Sequence, residues 1–291
     1  MFRPARSVMI AIACGFLLGL HQSSATVVMT NEDFNTWTTG TGYSNYYFAG
    51  WTGLSMRLGS AAYGSPQASP PNALWLNKTN SGTNSYIQTP LLPDGMNVVE
   101  FANKCFQTPG TNVYLVETST NGFSWTTNFN NITNKSIAWA TNTFTNIVYN
   151  PVYVRVKKVS DSGGNLFLGL DNFSFTYPPA KVVVTNLTVT PPPPVLDNTP
   201  VDVTADLFQY GIVSNLTATN YWVLAGVTNM IPMTNTAGTS WITSSNIPGV
   251  PPGNTIYYYV VAYFQGPDAL SPSVSFTSQY TVVTRSFFST L

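Results

Sequence analysis

The sequence predicts an all-β protein in two parts, each a sandwich or barrel. Three observations carry that expectation. Runs of four to eight β-branched and aromatic residues recur along the chain, separated by Gly, Pro, Asn and Ser. No amphipathic helix with proper caps is found. Turn signals return about every ten residues, the rhythm of short antiparallel strands in a sandwich or barrel.

Taken in order, Ala73–Leu76 and Ser85–Thr89 are the first short strand runs. Asn112–Thr118 leads through Asn121-Gly122 to Phe123-Ser124-Trp125, and Asn-Gly between two such runs predicts a hairpin, because both residues tolerate φ > 0. Pro151–Val156 and Leu166–Phe175 read as clear strands. Trp75 and Trp125 fall in these runs and are expected in the core, while Trp139 is undecided. A break follows at Tyr177-Pro178-Pro179-Ala180-Lys181. Val182–Val189 then reads as a strand, and Pro191–Pro194 follows it. The four prolines fit a stiff spacer or a kink after the first strand of a second domain, and the kink is favoured because that strand needs a sheet to join. The domains expected are 26–178 and 179–291. In the second, Val201–Leu207 alternates apolar and polar residues. Thr255–Tyr263 puts Ile256, Tyr258, Val260 and Ala262 on one face, with Tyr257, Tyr259, Val261 and Tyr263 on the other. Both faces are apolar enough to suggest a central strand.

Residues 1–25 read as a secretory signal peptide, with Arg3 and Arg6 before an apolar stretch at Val8–Leu20 and small residues up to a cleavage point near Ala25. Its removal takes away His21, the only histidine, and Cys14, leaving Cys105 as the one thiol. Without an imidazole there is no Ser-His-Asp or Cys-His catalysis, and His-based zinc sites are excluded. One cysteine forms no internal disulfide, and Cys105, in an apolar alternating run, reads as a buried structural thiol. Only 8% of residues are charged, with 11 basic and 11 acidic, against about a quarter in an ordinary globular protein. That balance leaves no electrostatic footprint for nucleic acid. Asn-x-Ser/Thr triplets stand at Asn77, Asn131, Asn134, Asn172, Asn186 and Asn215. In a chain this rich in Asn and Thr several arise by chance, and they are acceptors only in a host that glycosylates.

The order of landmarks over 27–177 resembles the jelly-roll domains of bacterial secreted proteins, among them non-catalytic carbohydrate-binding modules and MAM- or laminin-G-like domains. Those landmarks are Glu32-Asp33-Phe34, Gly50-Trp51, the Trp75 strand, Ile87–Leu92, the Glu117–Trp125 hairpin and the closing Leu168–Phe173. Residues 180–285 resemble an immunoglobulin-like or fibronectin type III module, through Pro200–Ala205, Ser214–Thr217 and Gly253–Val260. The resemblance implies an N-terminal jelly-roll β-sandwich followed by an immunoglobulin-like β-sandwich. It also implies a structural calcium between the first and last strands of the jelly roll, where Glu32, Asp33 and Asp171 supply the hard oxygen ligands such an ion takes.

Carbohydrate binding needs flat aromatic faces and planar polar groups. The Gly-rich stretch Trp37–Tyr47 offers both, and Trp37, Tyr43 and Tyr46 are the expected stacking residues; the competing expectation is that Tyr47 and Trp51 plug the end of the sandwich. The function expected is a secreted, non-enzymatic glycan-binding or adhesion protein whose partner is extracellular or cell-surface polysaccharide. The rival is a structural spacer that contacts protein partners. A glycosidase, needing only two carboxylates, would draw on Glu32, Asp33, Glu100, Glu117 and Asp171, none of which shows a glucanase spacing. No spanning segment or sorting tail follows residue 285, so the chain is expected either to be released or to head a longer protein.

Overall fold

The computed structural model describes residues 28–37, 43–60, 71–77, 85–106, 110–163 and 167–284. The expected leader lies outside them. Among the described residues every regular element is a strand. The first eleven are β1 (Val28–Glu32), β2 (Ser44–Phe48), β3 (Trp51–Ser60), β4 (Asn72–Leu76), β5 (Tyr86–Gln88), β6 (Met96–Cys105), β7 (Gly110–Ser119), β8 (Thr126–Asn134), β9 (Ala140–Val148), β10 (Tyr153–Gly163) and β11 (Leu168–Thr176). They form one 11-stranded sheet in the order β8-β7-β10-β5-β3-β4-β11-β6-β9, with β1 on β11 and β2 on β3. The sheet curls on itself. Phe129 on β8 meets Phe144 on β9 at 5.0 Å, so the two ends of the strand path touch through side chains, and Phe101 on β6 faces Tyr114 on β7 at 6.0 Å. The enclosed core includes Met56, Leu58, Leu74, Ile87, Val116, Val154, Val156, Leu170 and Phe173.

The other nine strands are β12 (Lys181–Thr190), β13 (Val195–Leu196), β14 (Asp202–Tyr210), β15 (Ser214–Leu224), β16 (Val227–Ala237), β17 (Ser240–Thr243), β18 (Thr255–Gln265), β19 (Ser273–Val274) and β20 (Ser278–Val283). They make a separate sheet in the order β12-β14-β17-β16-β15-β18-β20-β13, with β19 on β18. The tetraproline follows β12, whose partner is β14, so it lies inside the second unit and not between the two. Strand β18 runs between β15 and β20, as a central strand should. Its Ile256, Tyr258, Val260 and Ala262 enter the core, whereas Tyr257 and Tyr263 face solvent. On the second face Val261 is buried and Tyr259 half-buried between the two exposed tyrosines. At the junction Tyr149 and Tyr210 touch, 5.4 Å between centroids.

Four of the six Asn-x-Ser/Thr triplets have a structural cause. Asn131, Asn172, Asn186 and Asn215 take φ of 49–52° and stand where ladder registers shift. Asparagine tolerates the left-handed region, so it serves as the extra residue of a β-bulge. The residue after each (Ile132, Phe173, Leu187, Leu216) packs on a core.

Cys105 is free and buried. Its single S–H has Gly110 O at 3.3 Å and Asn134 O at 3.4 Å as acceptors within reach, and its sulfur accepts from Asn112 Nδ2 at 3.2 Å. Asn134 Nδ2 donates in turn to Asn103 Oδ1. On β10, Lys158 is wholly buried and paired with Asp161 at 2.8 Å.

Candidate functional site

The expected stacking residues do not form one surface. Trp37 is 3% exposed and belongs to the core. The chain turns directly after β1: Phe34 N–H donates to Glu32 Oε1 (2.7 Å) and Trp37 N–H to Phe34 O (3.1 Å). Asn72 Nδ2 then donates to Phe34 O at 3.3 Å and pins the turn to β4. The indole is folded against Phe34, at 5.1 Å, and Phe48, at 5.2 Å, so it is closed to a ligand. Tyr46 is half-buried and packs on the same core. Tyr43 stacks on Phe167 at 5.1 Å, and burial raises its phenol pKa. Residues 38–42 lie outside the described residues.

The proposed calcium set is not assembled either. Strand β1 does pair with β11, Glu32 lying opposite Phe173. Each carboxylate nevertheless serves its own backbone. Asp33 Oδ1 accepts from Asn35 N–H at 3.0 Å and Asp171 Oδ1 from Asn172 N–H at 2.8 Å, alongside the Glu32 turn. Among the described residues no three Asp, Glu, His or Cys side chains gather to hold a metal ion. The remaining members of the carboxylate pool are also engaged: Glu100 Oε2 accepts from Thr143 at 2.9 Å, and Glu117 pairs with Arg155.

What the structure does assemble is two aromatic faces on the outer side of the first sheet. One is covered. Trp75, opposite Gly169 in register, points away from the main core and is 3% exposed. Phe106 packs edge-on against it at 5.1 Å and Trp139 tilts onto it at 6.1 Å. Lys104 Nζ sits 5.5 Å from the Trp139 ring centre, and desolvation lowers the lysine pKa. Glycine is required opposite Trp75, because a Cβ at Gly169 would lie 2.7 Å from that ring and 3.1 Å from Trp139.

The other face is open and spans β3, β5, β10, β7 and β8. Val154 and Val156 point inward, so Tyr153, Arg155 and Lys157 point outward. Registers place Thr52, Gln88, Arg155, Glu117 and Thr127 in one row across the five strands, and Leu54, Tyr86, Lys157 and Leu115 in the next. Arg155 Nε and Nη2 donate to Glu117 Oε2 at 2.8 and 2.7 Å. The guanidinium lies 4.0 Å from the Trp125 ring centre and 5.1 Å from that of Tyr86. A cation seated against one face of an indole fixes the ring. Here Trp125 is half-exposed, with Tyr86, Gln88 and Tyr153 half-exposed around it.

The Asn121-Gly122 hairpin carries this platform. Strands β7 and β8 pair antiparallel as expected, but the connection is residues 120–125 and not a two-residue turn. Ser119 Oγ accepts from Gly122 N–H at 2.9 Å, and Asn121 Oδ1 from Phe123 and Ser124 N–H, each at 2.9 Å. Gly122, φ 75°, lets the loop pass over Tyr153, and Phe123 stands 89% exposed at the tip. Trp125 is therefore not the core residue its strand-like run predicts. The signal that would have found it is the longer loop, which places the indole before β8 begins.

No protein family matches the chain, and no curated protein does. Among solved structures it is similar to the K2 cleaved adhesin domain of Lys-gingipain, with 17% identity over 50% of this chain and 97% of that one, at a TM-score of 0.39. It is similar to the CBM22-1 xylan-binding domain from Paenibacillus barcinonensis at 11% identity, covering 52% of this chain and 95% of that one, with a TM-score of 0.33. A β-1,2-glucanase from Parabacteroides distasonis aligns over 88% of this chain and 40% of its own, at 12% identity and a TM-score of 0.30. Likenesses this distant carry nothing about what the chain binds.

Proposed function

We propose that the protein is a secreted, non-catalytic glycan-binding or adhesion protein of the cell exterior, and that the open outer face of its first unit is the binding surface. On this reading the first unit is a jelly-roll binding module and the second an immunoglobulin-like companion. One observation carries it: Trp125, backed by Arg155 and flanked by Tyr86, Gln88 and Tyr153, offers an immobilised ring beside planar polar groups. That combination suits pyranose rings and their hydroxyls. The engagement of Glu32, Asp33, Glu100, Glu117 and Asp171 within the fold supports the non-catalytic part of the reading.

The test is binding of the protein to a panel of soluble and insoluble polysaccharides, with and without calcium. A specific ligand lost on Trp125→Ala, at unchanged melting temperature, supports the proposal. The burial of Trp37 favours the rival, a spacer that contacts protein. A panel with no binding under either condition decides for that rival, and release of reducing sugar from any polysaccharide overturns the non-catalytic reading.

A further inference from the structure

We infer that the ligand of the open face is an acidic polysaccharide, one bearing carboxylate groups, and that Lys157 is the cation that meets its charge. The inference rests on the glycan-binding reading above. Strand β10 concentrates three basic side chains, Arg155, Lys157 and Lys158, in a chain with only 8% charged residues. Two of them are neutralised inside the protein. Arg155 is held by Glu117, and Lys158 turns inward to Asp161. Lys157 lies on the outer face between Tyr86 and Leu115, half-exposed, and has no carboxylate partner among the described residues.

The local charge follows from the registers. Across the two rows the acid is Glu117 and the bases are Arg155 and Lys157. The face therefore keeps one net positive charge, set one register step from the Arg155–Trp125 stack. A neutral chain leaves that ammonium uncompensated, whereas a carboxylate on a sugar stacked at Trp125 supplies its counter-charge. Arg155 spends two of its five N–H donors on Glu117 and keeps the others for hydroxyl or carboxylate oxygens. An interaction of this kind at a partly exposed surface weakens with added salt, since the Debye length falls from about 10 Å at 0.1 M to about 3 Å at 1 M.

The experiment measures the full chain by calorimetry against polygalacturonate and alginate, and against neutral xylan and β-glucan, at low and high salt. Lys157→Gln and Lys157→Arg are measured alongside, with thermal melts to check folding. The expected result is binding at least tenfold tighter to the acidic polymers, weakening with salt, reduced about tenfold by Lys157→Gln and kept by Lys157→Arg, since 1.4 kcal/mol is a factor of ten. Equal affinity for neutral polymers, or a Lys157→Gln protein that binds acidic ones unchanged, overturns the inference and leaves the glycan-binding reading standing. Binding to neither class overturns both.

Discussion

The two outer faces of the first sheet are made of the same materials and end in opposite states. Each sets a cation against a tryptophan: Lys104 near Trp139 on one, Arg155 against Trp125 on the other. On the covered face rings from the strand ends and connections (Phe106, Phe167, Trp139 and Tyr43) close over β4 and β11, leaving Trp75 and Lys104 almost without solvent. On the open face the rings rise from β5, β10 and one hairpin, and the 120–125 connection that passes over Tyr153 leaves Trp125, Tyr86 and Tyr153 half-exposed. The difference lies in the connections, not in the strands. A tryptophan on an outward position is a structural plug or a platform according to what the neighbouring loops do.

The widest gap between the faces should appear in stability. Trp75→Ala removes a buried indole and is expected to cost about 3–5 kcal/mol in denaturant unfolding. Trp125→Ala should cost less than about 1 kcal/mol, as half-exposed positions usually do, while abolishing ligand binding. Equal losses for the two variants would dissolve the distinction. Next comes Gly169→Val, which forces a side chain into the space held by Trp75 and Trp139 and should cost about 1–3 kcal/mol. An unchanged midpoint would mean that the covered face yields easily.

The smallest effect is a pH dependence. The folded pKa of Lys104 is lowered by desolvation, so the unfolded chain binds more protons just below the usual lysine value of about 10.4. Stability from this group should rise with pH through that window, and Lys104→Met should flatten the rise. Burial raises the phenol of Tyr114 to about 12, so above pH ~10 the unfolded chain ionises first and stability should fall. A profile unaltered by Lys104→Met would detach the rise from the covered face.

Much of the fold was legible because strand alternation is a local signal. Val152, Val154 and Val156 declare a face, and a partner strand supplies the rest. The candidate site was far less legible. The run Ala73–Leu76 is apolar throughout, so alternation does not say which face Trp75 takes, and whether an outward Trp75 or Arg155 is covered depends on connections distant in sequence. Trp37 looked like a loop aromatic, and only the Asn72 hydrogen bonds, reaching from residue 72, show why it turns inward. The triplets at Asn131, Asn172, Asn186 and Asn215 looked accidental because the chain is rich in Asn and Thr, yet each runs polar residue, apolar residue, hydroxyl. A bulge wants that same order: a left-handed position, then a core residue, then a return to the surface.

Cys105 has a practical consequence. Within residues 26–291 it is the single thiol, and it is closed off in the first unit. A small alkylating reagent can consume it only while that unit is open, so the labelling rate counts opening events. The second unit is silent in this reaction. The chain thus carries a built-in clock on one of its halves, and any glycan that binds the folded first unit should slow that clock in proportion to its occupancy.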